Sequence, residues 1–194
     1  MLDVFKTAYE KDPALKGGLS FIEVVFYPGV QAIIIYRISH LLHTIGIPLI
    51  PRALSYFGRF LTGAEIHPAA RIGKNFFIDH ATGVVIGETV EIGDNVMLYH
   101  GVTLGGRSWW SDKKGQKRHP TIEDNVTIGV GAAILGPVTI KKNSKIGALT
   151  VIVDDIPENS IVVCPKGRIR MREGAYVRFK DPCESCIREP EWMI

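Results

Sequence analysis

"TIEDNVTIGVGAAILGPVTIKKNSKIGALTVI", residues 121–152, places isoleucine at every sixth position: Ile122, Ile128, Ile134, Ile140, Ile146 and Ile152. Neither the 3.6-residue period of a helix nor the two-residue period of a strand gives this spacing. A hexapeptide repeat does. Each repeat is a short strand and a turn, and stacked coils line the recurring aliphatics into one interior column. Upstream, Ile66, Ile72, Ile78 and Val84 lie six apart, the phase slips by two, and Ile86, Ile92, Leu98 and Leu104 continue. Gly73, Gly87, Gly93, Gly105, Gly129 and Gly147 each follow an aliphatic directly, where glycine relieves a sharp corner. A lone coil cannot bury its interior face, so the repeats stabilise one another. The spacing predicts a mostly β chain, a parallel β-helix over residues 63–168. One feature breaks the column: "GGRSWWSDKKGQKRHP", residues 105–120, carries no hexad. It reads as a loop extruded between coils (105–121), a common place for function in repeat proteins.

Residues 1–62 carry a different rhythm and read as a helical region. Asp12-Pro13 has the form of an N-cap followed by proline in the first turn, and "SFIE", residues 20–23, has capping-box spacing. From Gly29 onward Val30, Ile33, Ile34, Arg37, Ile38 and Leu41 follow the spacing of an amphipathic helix. "PRALSYFGRFLTG", residues 51–63, supplies another, ended by Gly63. Residues 169–194 lose the hexad, mix both charges and read as a C-terminal tail.

Composition narrows the class. At 194 residues with 46% apolar content and a net charge of +3, the chain is an ordinary globular protein, neither disordered nor nucleic-acid-like. No charged start with a short apolar run and small-residue cleavage site is present, so no signal peptide is read. The most apolar stretch, residues 21–51, holds Glu23, Arg37, His40 and His43 and is broken at Pro28-Gly29. A membrane span needs about 20 uninterrupted apolar residues, so this stretch predicts a buried helical pair and no membrane anchor. Cys164, Cys183 and Cys186 are odd in number and too few for a disulfide framework. Reduced thiols in a cytoplasmic protein are the simpler reading; the lone CxxC at 183–186 is a weak metal or redox signal.

Within this pattern "FIDHATGVVIGE", residues 77–88, sets an acid beside an imidazole, Asp79 and His80. Together with "DPAL" (12–15), "YPGVQAIIIYRISHLL" (27–42), "EIHPAARIG" (65–73), "GVTLGG" (101–106) and "KRHPTIEDN" (117–125), in that order, it resembles the serine O-acetyltransferase family, which opens cysteine biosynthesis. The resemblance covers roughly residues 10–160. It implies a left-handed, triangular β-helix and a homotrimer with sites between neighbouring subunits; pairing of two trimers stays open. It also implies L-serine as acceptor, acetyl-CoA as co-substrate and no metal.

Acyl transfer to an alcohol needs a base near the operating pH, which histidine supplies, with a carboxylate to orient it. By resemblance His80 is that base and Glu65 its carboxylate partner, where many members carry Asp. A zwitterionic substrate needs an acid and a cation. The resemblance gives Asp12 and Asp79 to the ammonium and Arg118 to the carboxylate, whose shape suits a guanidinium fork; His119 lines the pocket from an adjacent subunit. Neighbours on a strand point to opposite faces, so Asp79 and His80 can share one site only at a corner or an interface. Taken singly, each residue has a structural reading: Asp12 a helix cap, Asp79 a partner of a lysine, His80 a surface histidine, Arg118 a solvated loop charge.

For the acyl donor the resemblance points to Gly105, Gly106, Gly129, Lys145 and Ala148, although the fold itself also demands these glycines. The chain departs from the family here. It has Ala133 where relatives carry lysine, Leu149 where they carry glycine, and "CPKGR" at 164–168; Trp109-Trp110 is also outside the pattern. The last residue, Ile194, matches the C-terminal isoleucine through which family members engage O-acetylserine sulfhydrylase; a disordered end is the alternative. Rival functions are the same mechanism with homoserine or a longer acyl-CoA, a zinc lyase using His67, His80, His100 and His119, and a non-catalytic trimer that only presents its tail.

Overall fold

The structure is a computed structural model and describes residues 2–11, 23–107 and 115–164. Asp12, residues 20–22 of the expected capping box, Trp109-Trp110, Cys183, Cys186, Ile194 and all of 164–168 but Cys164 lie outside the described residues.

Helix α1 (Leu2–Lys11), a 3-10 turn (Val24–Phe26), α2 (Pro28–Thr44) and α3 (Ile50–Thr62) precede the strands. Proline opens α2 and stands in the first turn of α3, where its missing N–H costs nothing. Gly63 ends α3 in the left-handed conformation, φ 76°, its N–H bonded to the Arg59 carbonyl at 2.8 Å. The buried side of α2 is Gly29, Val30, Ala32, Ile33, Tyr36 and Ser39. Ile38 and Leu41, expected on the buried stripe, are exposed, as are Phe26, Ile45 and Leu49. The expectation of a buried helical pair over 21–51 therefore holds for only one side of α2. The bare Gly29 lets the helix backbone approach the Ile78 carbonyl on the strands, with the larger stripe turned partly outward. No helix among the described residues is long and apolar enough to cross a membrane.

Three polar bonds tie the helices together and to the first coil. Ser39 Oγ donates to the Pro51 carbonyl, Ser55 Oγ to that of Ile66 and Tyr36 Oη to that of Ala70, each at 2.6 Å. All three side chains are buried, so each hydroxyl is satisfied where leaving it bare would cost about 1–3 kcal/mol.

From residue 65 the chain winds through three parallel sheets, giving one short strand to each in turn. The first holds β1 (Glu65–Ile66), β4 (Val85–Ile86), β7 (Thr103–Gly105), β10 (Ala133–Leu135) and β13 (Val151–Ile152). The second holds β2 (Arg71–Ile72), β5 (Glu91–Ile92), β8 (Thr121–Ile122) and β11 (Thr139–Ile140). The third holds β3 (Phe77–Ile78), β6 (Met97–Leu98), β9 (Thr127–Ile128), β12 (Lys145–Ile146) and β14 (Ile161–Val162). Parallel strands this short are unstable alone; stacking supplies what the single coil lacks.

The repeated aliphatics are the core. Ile66, Ile78, Ile86, Leu98, Leu104, Ile122, Ile128, Ile134, Ile140 and Ile146 are buried, and Ile72 is partly so. Burial of each such side chain is worth about 1.5–3 kcal/mol. A second interior column runs two residues ahead of it: Ala70, Val90, Val96, Val102, Val126 and Ala132 are all buried. Val84 belongs to this second column, two before Ile86, and not to the series of Ile66, Ile72 and Ile78. The register shows why. Ile78 pairs with Leu98, 20 residues on, whereas Ile86 pairs with Leu104, 18 on. The two extra residues therefore lie between Ile78 and Val84, in the turn that carries Asp79 and His80.

A further column is polar. Asn75, Asn95, Asn125, Asn143 and Asn159 stand on one edge, all in the left-handed conformation with φ 54–60°, which asparagine tolerates. Their side-chain amides bond in sequence: Asn75 to Asn95 at 2.9 Å, Asn125 to Asn143 at 3.2 Å and Asn143 to Asn159 at 3.1 Å.

Candidate active site

The edge between the third and first sheets is built from the turns at 79–84, 99–102, 129–132 and 147–150. At the lowest of these the two extra residues give the chain room to bend twice, and His80 and Ala81 both adopt positive φ, 61° and 58°. Non-glycine residues in this region carry a cost of about 1–2 kcal/mol each, and such strain clusters at functional sites. The bend cancels the strand alternation that would have sent Asp79 and His80 to opposite faces. His80 Nε2 lies 3.7 Å from Asp79 Oδ1, with the imidazole 74% exposed and the carboxylate 25% exposed. One coil higher, His100 meets His80 edge to face, with ring centroids 5.8 Å apart and planes at 80°. His100 Nδ1 is buried and has no hydrogen-bond partner among the described residues. Tyr99 is held above the ordinary phenol pKa, first by burial and then by the Asp79 charge, so its hydroxyl keeps its proton beside that carboxylate.

In this structure Glu65 is engaged by α3. Its carboxylate accepts from Arg59 Nη1 at 2.7 Å and faces Arg52 Nη2 at 3.7 Å. Both arginines come from α3, so the helix holds the acid that the sequence assigned to His80.

The second group stands on the edge between the first and second sheets, where the long loop rejoins the coils. Thr89 organises it: its hydroxyl accepts from the backbone N–H groups of Arg118 and His119, each at 3.1 Å. The Thr89 backbone N–H donates to His119 Nδ1 at 3.2 Å, which makes Nδ1 an acceptor and puts the proton of a neutral ring on Nε2. The His119 ring is buried against the bare backbone of Gly87, where a Cβ would overlap it. Arg118 Nη2 donates to Glu88 Oε2 at 2.5 Å, and Lys117 Nζ donates to the Thr89 carbonyl at 2.8 Å. Burial pulls the Lys117 ammonium below its usual pKa, with Glu91 opposing the shift.

Of the sequence-predicted residues, then, Asp79 and His80 share one edge, and Arg118 and His119 share another. The whole width of the first sheet separates the two edges within one chain. Gly129, Ala148 and Lys145 fall on or beside the His80 edge: a Cβ on Gly129 would lie 2.7 Å from the Ala148 nitrogen, and Lys145 is on β12 of the third sheet. Gly105 and Gly106 fall beside the Arg118 edge, at the start of the loop. Glu88, Thr89 and Arg59 were not singled out in the sequence. Their types are ordinary for exposed turns and helices: Glu88 and Thr89 meet their partners 29–30 residues on through the stacking of coils, and Arg59 meets Glu65, six residues on, through the placing of α3 against β1. Among the described residues no group of three or more His, Cys, Asp or Glu side chains is placed to hold a metal ion.

Residues 119–154 match a family described as bacterial transferase hexapeptide (six repeats). The serine acetyltransferase of Bacillus licheniformis is 46% identical over 191 residues, covering 94% of this chain and 85% of the relative. Serine acetyltransferase isoform 3 of Entamoeba histolytica, solved in complex with cysteine, superposes with a TM-score of 0.79 at 40% identity. That match covers 88% of this chain and 59% of the other, so the chain spans about three fifths of the solved protein. Soybean serine acetyltransferase, solved in complex with serine, gives a TM-score of 0.76 at 41% identity over 84% of this chain and 65% of its own.

Proposed function

The chain belongs to the serine acetyltransferase family, and from that premise we propose that it transfers the acetyl group of acetyl-CoA to L-serine, giving O-acetyl-L-serine. In this reading the stack closes as a left-handed β-helix, the protein is a cytoplasmic homotrimer, and each site combines the His80 edge of one copy with the Arg118 edge of its neighbour. The observation that carries the reading is the two-residue insertion at 79–84, which turns Asp79 and His80 onto one edge at 3.7 Å. The separation of Arg118 and His119 onto another edge supports the trimer, because a single copy cannot close the site.

Asp79 receives the serine ammonium, joined by Asp12, and the Arg118 fork receives the carboxylate in exchange for Glu88. His119 presents its Nε2–H in the same pocket. His80 takes the proton of the serine hydroxyl as the oxygen attacks the thioester carbonyl. A new C–O bond forms, the C–S bond breaks, and the imidazolium returns its proton to the leaving thiolate. Glu65 steadies the imidazolium, in competition with Arg59 and Arg52. The donor runs along the His80 edge, where Gly83, Gly101 and Gly131 stack bare: a Cβ on Gly83 would meet the Gly101 Cα at 3.4 Å, and one on Gly101 the Gly131 Cα at 3.3 Å. A steady-state assay of thiol release, crossing acetyl-CoA and longer acyl-CoA donors with serine and homoserine, tests the reading. Acetyl-CoA with serine should be the best pair; no turnover with serine would end it.

A further inference from the structure

His80 is a solvent-exposed ring, yet a general base has to be held within hydrogen-bond reach of the proton it removes. Among the described residues, two side chains face it. Asp79 stands 3.7 Å from Nε2, the nitrogen on the side of the ring away from the backbone. Glu65, the expected orienting carboxylate, is bound by Arg59. The other contact is His100, one coil above, meeting His80 edge to face at 5.8 Å.

His100 is fixed from below and above. Its coil hangs on the same edge through Gly101 N–H to the Thr82 carbonyl at 2.9 Å, and its own carbonyl accepts from Gly131 N–H at 3.0 Å. Its Nδ1 is buried with no partner among the described residues. A buried polar atom left without a partner costs stability, and native structures hold few of them. A leucine or valine would fill this place in the coil without that cost. What an imidazole adds, and an aliphatic does not, is a planar aromatic edge for the neighbouring ring.

We infer that His100 is a positioning residue that holds the His80 ring at its working angle through this edge-to-face contact. The inference rests on His80 being the base. The groups around the pair are Asp79 and Tyr99 on the same edge, with Glu65 and its arginines on the adjoining strand and helix, and none of them replaces the ring contact.

The experiment compares His100→Phe, His100→Leu and His100→Gln in the full chain, with kcat and KM for serine and acetyl-CoA and a thermal melt for each. Phenylalanine keeps the ring and loses the nitrogens, and its kcat should stay close to the parent. Leucine fills the space without a ring, and kcat should fall about ten- to a hundredfold, the scale of a misplaced catalytic group, with both KM values moving far less. Glutamine should behave as leucine does. A leucine or glutamine variant with parental kcat overturns the inference, as does a phenylalanine variant that falls as far as they do. A His80→Ala control separates the two levels: if that variant remains active, the base assignment itself fails.

Discussion

Gly29 presses its bare α-carbon onto the carbonyl of Ile78, so closely that a Cβ would overlap the carbonyl oxygen and stand 3.0 Å from its carbon. The contact seats the first turn of α2 on β3, one residue ahead of Asp79-His80. Gly29→Ala therefore adds a methyl where only backbone can yield. It should destabilise by about 1–3 kcal/mol, the usual cost of overpacking, and lower kcat by shifting the turn that follows. Gly46→Ala is the control: that glycine has φ +82° but nothing within 4 Å, so only the backbone preference is lost. Melting curves and kcat for both variants check this; equal behaviour would remove the role given to the Gly29 contact.

His67 ties stability to pH. Its Nδ1 accepts from the Ala69 N–H at 3.1 Å, and burial, then the Arg52 charge, hold its pKa below the usual 6.5, with Glu88 opposing. A depressed histidine binds its proton more readily in the unfolded chain, so stability falls as pH drops below about 6.5 and levels off once the folded group also titrates. His67→Asn keeps an acceptor and removes the titration. Denaturant midpoints measured between pH 5 and 7 should show a shallower acid slope for the variant than for the parent. An unchanged slope would assign the acid sensitivity to other groups.

The interior of the stack was legible in the sequence because burial admits few residue types and the hexad repeats the demand. Ile122 to Ile152 needed no structure to be placed. Where the phase slipped, the sequence left two solutions, and counting Val84 with Ile78 was the wrong one: a valine suits either interior column, and only the pairing of Ile78 with Leu98 decides. The asparagine edge was legible too, since Asn75, Asn95, Asn125, Asn143 and Asn159 each precede a third-sheet aliphatic by three residues. No single asparagine marks it, because asparagine is common in turns and signals nothing until it recurs once per coil. Glu65 marks the limit. Its motif points to His80, while its contacts with Arg59 and Arg52 depend on where α3 lies, and no local pattern encodes that.

Leu149 gives the donor side its own test. Gly83, Gly101 and Gly131 occupy successive corners of the His80 edge at φ 76°, 72° and 65°, and Leu149 takes the next at φ 59°. It is 69% exposed and its Cδ2 lies 2.9 Å from where a Gly131 Cβ would stand. The fold gains little from an exposed leucine in a left-handed corner that costs about 1–2 kcal/mol. At about 4.8 Å per coil it stands three coils from Gly83, along the path proposed for the donor's arm. Leu149→Gly should leave the melting temperature nearly unchanged, strain relief offsetting added chain entropy. It should raise KM for acetyl-CoA about three- to tenfold, for part of a leucine's apolar contact, with kcat and KM for serine unaltered. An unchanged donor KM would take the arm off this edge.

His80 and Arg118 stand on different edges of one chain, and this makes the shared site testable without a further structure. His80→Ala should lower kcat by orders of magnitude through loss of the base. Arg118→Ala should mainly raise KM for serine, since a charge-assisted pair is worth about 1.5–3 kcal/mol. At serine concentrations well below that raised KM both variants are nearly inactive. Mixed and reassembled at equal amounts, they form trimers in which some sites take His80 from the Arg118→Ala copy and Arg118 from the His80→Ala copy. For random cyclic assembly roughly a quarter of the sites are intact, and activity should return to about that fraction of the parent. If each site were built within one chain, every site in the mixture would lack one residue and activity would stay at the level of the separate variants. Size-exclusion profiles before and after mixing establish that subunits exchanged. Exchange without recovered activity would place both residues in the same copy and undo the intersubunit reading.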